Sequence, residues 1–284
     1  MNPLKVLLTG GRGMLGRTLS AGLTGIEVIT TNRPEGDITD AAGIDRLIKT
    51  HKPDAVIHCA AMTAVDRCET EREAAFKNNA VGTGNVAAAC RRHGCRLIAI
   101  STDYVFDGIG NQPYSEFDRP TGGNTVYGQS KFAGEELVRE LCPDHVIARV
   151  AWLYGPGGPS FVHTMLKLAD GTRPELKVVN DQFGNPTSTL AVTRALQEIL
   201  QRPELAGTFH LSCEGECSWY EFALEIFRQS GIKQQVTPCT TAEYPRPAPR
   251  PANSRLDKMM LRIHGLPSMP DWHDALAEFL RDLR

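Results

Sequence analysis

Tyr127 and Lys131 stand four residues apart in Tyr-Gly-Gln-Ser-Lys. On a helix, positions i and i+4 share a face, so this spacing places a phenol beside an ammonium. A free phenol, with a pKa of about 10, is too weak an acid for proton transfer near neutral pH. A neighbouring cation favours the phenolate and brings that value down. YxxxK occurs by chance in many chains, where it is a core tyrosine with a surface lysine. Ser101-Thr102-Asp103, 24–26 residues upstream, sharpens it. These residues close an apolar run that reads as a strand. Ligands of doubly wound sheets lie at the carboxyl ends of strands, where a hydroxyl can hold a substrate oxygen against the tyrosine.

A second constellation lies at the start of the chain. Thr9-Gly10-Gly11-Arg12-Gly13-Met14-Leu15-Gly16 follows the apolar run Lys5–Thr9 and opens a helix. Gly10, Gly13 and Gly16 have the spacing GxxGxxG, and Gly11, Gly13 and Gly16 also fit GxGxxG. Without side chains the backbone turns tightly and approaches a pyrophosphate, while the helix N-terminus offers free N–H groups. The bland alternative is a tight turn. The next strand ends in Thr31-Asn32-Arg33. A site selective for NAD often has an acid there; here Asn32 is neutral, and Arg33 with Arg12 suits a 2′-phosphate. Both arginines would otherwise be solvated surface groups. His58-Cys59-Ala60-Ala61-Met62 ends a third strand, and its small residues let the backbone pass close to a cofactor or simply pack tightly. His58 reads as a strand residue. Trp152 ends a fifth strand, where an indole stacks on a sugar or base or fills the core.

These groups need a sheet to position them. Strands are expected at Lys5–Thr9, Glu27–Thr31, Asp54–Cys59, Arg96–Ser101 and His145–Leu153, with helices between: from about Gly13, over Asp40–His51 (Ile44, Leu47 and Ile48 on one face), over the Ala-rich Glu69–His93, and over Val126–Leu141 with Ala133, Leu137 and Leu141 as its buried stripe. Strands apolar on both faces and alternating with helices imply a parallel sheet covered on both sides. Gly155-Pro-Gly-Gly-Pro159 breaks this texture. Beyond it come helices at Phe161–Ala169, Leu190–Leu200, Trp219–Gln229, Leu256–Ile263 and Asp271–Leu283, and strands at Leu176–Val179 and Thr208–Leu211. Proline at every second position from 245 to 251 makes Tyr244–Pro251 extended. The fold expected is α/β: a Rossmann-like doubly wound parallel sheet over residues 1–155, and a smaller C-terminal α/β substrate lobe over 156–284 whose segments cross back to the first sheet.

Composition bounds the function. The 284 residues are 41% hydrophobic and 23% charged, enough to bury a sizeable core. With 31 basic and 33 acidic residues the net charge is -2, which argues against a dedicated nucleic-acid or anionic-membrane binder. No stretch approaches the roughly 18 apolar residues of a membrane span, and the run Val6–Leu8 is too short for a signal-peptide core. The eight cysteines, none in CxxC, read as reduced thiols of a cytoplasmic protein, with no zinc site.

Together these motifs resemble the extended short-chain dehydrogenase/reductase superfamily and, within it, the dTDP-4-dehydrorhamnose reductases. The more specific blocks are STDYVFDG (101–108) and NDQFGNPTS (180–188); AAMTAVDRCE (60–69), VYGQSKFAGE (126–135), the Arg149/Trp152/Tyr154-Gly155 stretch and RPANSRLD (250–257) follow in family order. The resemblance implies reduction of the C4 ketone of dTDP-4-dehydro-6-deoxy-L-mannose to dTDP-L-rhamnose, with NADPH, or NADH, as cofactor. It makes Tyr127 the proton donor, Lys131 the lysine that tunes it and holds the nicotinamide ribose, and Thr102 the tuning hydroxyl. It gives Thr102, Asp103 and Trp152 substrate contacts. Gly13, Met14 and Leu15 take the pyrophosphate, Asp37 and Ile38 the adenine side, and Ala60, Ala61 and Met62 the wall beside the cofactor. Many members carry an acid where Asn32 stands, so this chain departs from an NAD-only pattern. Some members form metal-bridged dimers; the resemblance leaves a homodimer open, and no metal site is expected here. Two rivals share these motifs: a reductase of another nucleotide-linked 4-keto-6-deoxy sugar, and a non-catalytic regulatory subunit of methionine adenosyltransferase. Intact Tyr127, Lys131 and Thr102 favour an enzyme.

Overall fold

Short runs of Val, Leu and Ile with no polar face can only be strands covered on both sides. A computed structural model describes residues 3–283 and places β1 (Leu4–Thr9), β2 (Ile26–Thr31), β3 (Ala55–His58), β4 (Arg96–Thr102), β5 (His145–Val150) and β6 (Gly207–His210) in one parallel sheet of order 6-5-4-3-1-2. Alternate residues feed two cores. Val6, Leu8, Ile57 and Ile98 face one; Leu7, Val56, Leu97 and Ile147 face the other. The register sets Thr9 between Thr31 and His58, and Thr102 opposite Val150, so the strand ends that carry the motifs form one rim.

The helices that position this rim are α1 (Met14–Gly22), α2 (Ala41–His51), α3 (Val65–Thr70), α4 (Arg72–Phe76), α5 (Thr83–His93) and α6 (Val126–Leu141). The expected single helix over Glu69–His93 is divided. It breaks at Glu71, where φ is -117° and ψ 52°, and widens to π geometry over Lys77–Gly82. The reason is Asn79. Its Oδ1 accepts from the Met62 amide at 2.7 Å, and its Nδ2 donates to the Met62 carbonyl and to Ser130 Oγ, each at 3.0 Å. Such widened turns are frequent at functional sites.

Two further expectations are corrected. The stripe Ala133, Leu137, Leu141 is only half-buried; the buried face of α6 runs through Tyr127, Lys131, Gly134 and Val138, with Ser130 and Glu135 beside it. Apolar spacing alone missed this because the face holds polar groups whose partners lie in the sheet. The strand expected over His145–Leu153 ends at Val150. Trp152 adopts φ +48°, uncommon for a bulky residue, and turns Leu153–Tyr154 away to pair with Thr187–Ser188.

Past residue 155 follow α7 (Phe161–Leu168), α8 (Thr189–Leu200), α9 (Trp219–Ser230), α10 (Met259–Ile263) and α11 (Trp272–Asp282). Strands Glu175–Val179 and Gln235–Cys239 form a parallel pair, and Phe183–Gly184 pairs with both Cys217–Ser218 and Asn253–Ser254. The chain also returns to the first sheet: β6 extends its edge, and α8 packs on α1. Arg96 of β4, 6% exposed, secures that return by donating to the carbonyls of Ile199 at 3.0 Å and Arg202 at 3.2 Å, at the end of α8. Tyr244–Pro251 has no helix or strand, apart from its start beside a short turn at Thr241–Glu243.

Candidate active site

The first helix begins with no side chain capping it and no acid in its first turn. Gly10 has φ +71°, and a Cβ there would lie 2.8 Å from the Ala60 amide nitrogen. A Cβ on Gly16 would lie 2.3 Å from the Gly10 carbonyl oxygen. Gly13, between them, is exposed. The loop is therefore closed toward the protein and bare toward solvent, with first-turn N–H groups of Met14 and Leu15 available to an anion. The chain fits a dinucleotide pyrophosphate on these observations. Ala60, Ala61 and Met62 are half-buried at the end of β3. Asp37 is held below the usual carboxylate range chiefly by the Thr39 amide, which donates to it at 2.9 Å, and Ile38 is buried. Arg33 is exposed at the strand tip, 3.5 Å from Asp37 and bonded to Asn78. Asn32 Oδ1 accepts from the Arg12 amide at 2.7 Å, so it braces the glycine loop.

Tyr127 and Lys131 lie on the buried face of α6 against the end of β4. Thr125 caps this helix, accepting from the Gly128 amide at 3.0 Å, and Glu69 accepts from the Val126 amide at 2.8 Å. Gly128, inside the YxxxK motif, has a physical reason: a Cβ there would lie 2.2 Å from the Tyr104 carbonyl oxygen. Tyr104 packs edge-on to Tyr127, with centroids 5.4 Å apart. Thr102, buried, donates to Asp103 Oδ1 at 2.9 Å. Burial raises Asp103 to about 6, against the hydrogen bonds that lower it.

Burial also drives the Tyr127 phenol well above its ordinary value; Thr102 opposes the rise and Asp103 adds to it. The expectation that Lys131 brings this value down is not met. The ammonium donates instead to the Ile100 carbonyl at 2.7 Å. Burial lowers Lys131 itself to about 8, opposed by the charge of Glu135. His58, between Thr9 Oγ1 at 2.7 Å and Thr83 Oγ1 at 3.1 Å, is pushed down to about 3 by burial and is a neutral strand residue, as read from the sequence.

Beneath Lys131 lies a network the motifs did not reveal. Glu135, one turn on, accepts from Ser101 Oγ at 2.6 Å and takes both Nε (2.9 Å) and one terminal nitrogen (2.8 Å) of Arg149, whose side chain is 1% exposed. Burial raises Glu135, but the Arg149 guanidinium outweighs this and holds it below the carboxylate range. Arg149 also meets His210 Nε2 at 3.3 Å, while His210 Nδ1 donates to the Asp257 carbonyl at 2.8 Å. The i+4 spacing of Lys131 and Glu135 was the available signal; the partner on β5 was not.

Asp103 and Trp152 line a cavity of about 480 Å³ that also borders Lys177, Arg246, Arg250 and Ser254. Trp152 stacks on Trp219 at 3.5 Å between centroids, and a Cβ on Gly184 would lie 2.4 Å from its ring. Arg250 reaches this cavity and pairs with Asp66 at 2.9 Å; Arg255 instead pairs with Glu216 at 3.0 Å. All eight cysteines are free, and among the described residues no group of His, Cys, Asp and Glu has the arrangement of a metal site.

A dinucleotide loop, a strand-end hydroxyl and a buried Tyr–Lys face on the next helix place the molecule among the short-chain dehydrogenases/reductases of Rossmann type. Residues 4–284 match the family model described as RmlD substrate binding domain, and the chain belongs to that family. It is 42% identical to the spore coat polysaccharide biosynthesis protein SpsK of Bacillus subtilis, over 98% of this chain and 97% of the relative. It is 36% identical to the dTDP-4-dehydrorhamnose reductase of Escherichia coli, over 99% and 98%. Among solved structures, a dTDP-4-dehydrorhamnose reductase from Bacillus anthracis in complex with NADP superposes with a TM-score of 0.96 at 38% identity, covering 99% of this chain and 100% of that one. No described helix is long and apolar enough to cross a membrane.

Proposed function

We propose that this chain reduces the C4 ketone of dTDP-4-dehydro-6-deoxy-L-mannose to dTDP-L-rhamnose, using NADPH in preference to NADH. The observation that carries this reading is the meeting of Thr102, Tyr127 and Lys131 at the end of β4, beside a cavity with aromatic and cationic walls. Gly10, Gly13, Met14, Leu15 and Gly16 would hold the pyrophosphate. Asp37 and Ile38 would border the adenine, Ala60, Ala61 and Met62 the rest of the dinucleotide, and Arg33 the 2′-phosphate after exchanging Asp37 for it. When bound, the cofactor supplies the hydride. The chain supplies everything else. Thr102 holds the ketone oxygen, and Tyr127 donates its phenolic proton as negative charge grows there. Lys131 then stabilises the phenolate left behind and holds the nicotinamide ribose. Asp103 and Trp152 contact the sugar, and Arg250 grips the diphosphate.

Residues 1–155 carry the dinucleotide on this reading and 156–284 most of the sugar-nucleotide wall, with β6 and α8 returning to the first sheet. A nucleotide-sugar substrate and eight free thiols favour the cytoplasm, and a homodimer remains part of the proposal, to be read by sedimentation. The test is NADPH oxidation with a panel of nucleotide-linked 4-keto-6-deoxy sugars. The dTDP-L-mannose derivative should have the highest kcat/KM. A preference for another sugar supports a second reading, favoured by 38% identity to a probable dTDP-4,6-dihydroxy-2-methyloxan-3-one 4-ketoreductase from Streptomyces antibioticus. No oxidation with any sugar would support the non-catalytic regulatory subunit.

A further inference from the structure

The Pro-rich run 244–251 has neither helix nor strand to hold it, yet it gives Tyr244, Arg246, Arg250 and Pro251 to the wall of the cavity beside Asp103 and Trp152. Alternating prolines leave amide N–H groups only on Arg246, Ala248 and Arg250 between Pro245 and Pro251. A continuous backbone ladder is therefore closed to it, and side chains from elsewhere must fix it. Residues 242–247 and Pro249 are exposed, whereas Ala248 is fully buried.

Asp66 meets the run at that point. It stands in the first turn of α3, just past the cofactor wall at residues 60–62. Its Oδ1 accepts from the Ala248 amide at 3.1 Å, and its Oδ2 accepts from Arg250 at 2.9 Å. Arg250 also donates to the Ala248 carbonyl at 2.9 Å, so carboxylate, amide, carbonyl and guanidinium close a ring. Burial raises Asp66, but Arg250 and the Ala248 amide outweigh it and hold the carboxyl below its usual range.

An acid beside a phosphate-binding arginine acts in one of two ways. It competes with the phosphate, or it holds the guanidinium where the phosphate will sit. Three observations favour the second. One carboxylate oxygen is spent on the backbone, so Asp66 brackets the segment as well as balancing a charge. Arginine has five N–H donors, and the two bonds above leave others, Nε among them, for an anion. Arg246, on the same run, lies over the Tyr244 ring at 4.7 Å and brings a second cation to the same wall. Ordering a long side chain before the ligand arrives removes that entropy cost from binding.

We propose that Asp66 is a positioning residue for nucleotide-sugar binding, which fastens the Pro-rich run to α3 and aims Arg250 at the substrate diphosphate. The proposal rests on the reductase reading above for the identity of the ligand. It adds that the diphosphate grip is completed by a residue from the dinucleotide half of the chain.

The test uses Asp66→Ala, Asp66→Asn, Arg250→Ala and the double variant Asp66→Ala/Arg250→Ala. Calorimetry gives the dTDP and NADPH Kd, NADPH oxidation gives kcat and KM for the dTDP-linked 4-keto-6-deoxy sugar, and hydrogen exchange follows the amides of 246–250. Asp66→Ala should raise the dTDP Kd and the sugar KM roughly 10-fold or more, the worth of a charge-assisted hydrogen bond. The loss should fall on KM more than on kcat, and exchange in 246–250 should quicken. The NADPH Kd should stay within about twofold. Asp66→Asn keeps an oxygen for the Ala248 amide but turns a donor toward Arg250, so exchange should stay slow while dTDP binding weakens. Because Asp66 acts through Arg250, the double variant should bind dTDP within about twofold of Arg250→Ala. Either Asp66 variant binding dTDP as well as wild type, or better, would show a competitor and overturn the proposal. Losses that add in the double variant, or unchanged exchange in Asp66→Ala, would overturn it too. Wild type that binds dTDP yet reduces none of the sugars would sink the reductase reading alone; wild type that binds no dTDP would take down both.

Discussion

Glu135→Gln separates two jobs a buried carboxylate can do. The first is structural. Arg149, its bidentate partner, is 1% exposed and would be left with an uncompensated charge. Breaking such a pair costs about 3–5 kcal/mol, which for a chain of this size is a fall in Tm of about 5–15 °C. The second job is electrostatic. Glu135 lies one turn from Lys131 and opposes the burial that lowers the ammonium to about 8. Two charges about 6 Å apart at an effective dielectric of ~20 interact by about 3 kcal/mol. Arg149 and Arg139, both bonded to Glu135, stay in the variant, so the whole interaction is lost, about two pH units. The sign follows from Lys131 being needed charged. Its folded value lies below the free one, so losing the carboxylate lowers it further. The protonated fraction at pH 8 falls, and the alkaline limb of kcat/KM moves to lower pH by about two units. The assay is NADPH oxidation across pH 6–10 at saturating NADPH, with Tm recorded in parallel. Glu135→Met combined with Arg149→Met removes both charges; apolar replacement of a buried pair is often neutral, so Tm should recover while the limb stays shifted by less than in Glu135→Gln, the opposing guanidinium having gone too. An alkaline limb that does not move in either variant would refute the electrostatic role and leave Glu135 a structural residue.

Tyr127→Phe should keep the fold and NADPH binding and lower kcat by about 10²–10⁴, the worth of general acid catalysis; single-turnover NADPH oxidation measures it, and a loss within about threefold would remove Tyr127 as donor. Arg33→Ala should weaken NADPH more than NADH, by about 1–3 kcal/mol, in fluorescence titrations; equal effects would show that Arg33 stays with Asp37 and Asn78. Arg250→Ala should raise the dTDP-sugar KM with NADPH affinity unchanged, whereas Arg255→Ala, already paired to Glu216, should leave it nearly unaltered; calorimetry with dTDP checks both. Protonation of Asp103 below about pH 6 converts an acceptor into a donor, so the sugar KM should rise as pH falls through that value while the NADPH Kd stays flat; a flat sugar KM would take Asp103 out of the site.

The sequence by itself determined the parallel α/β sheet, because β1, β3 and β4 are apolar on both faces and no other arrangement buries both. It also determined the glycine loop and the helical placement of Tyr127 and Lys131, since both depend on spacing within a few residues. The helix Val126–Leu141 stands at the expected bounds. Its buried face was decided by tertiary structure. Periodicity ranks apolar residues, and this face is buried through Lys131, Glu135 and Ser130, whose partners Ile100, Arg149 and Asn79 come from distant elements. The same holds for the widened turn at Asn79 and the bend at Trp152, each set by what the side chain meets across the fold. Arg250 and Arg255 looked equivalent in one Pro-rich segment; Asp66 and Glu216 separate them. Local spacing fixes which atoms share a face, whereas hydrogen-bond partners far apart in the chain exist only once the sheet has brought them within reach.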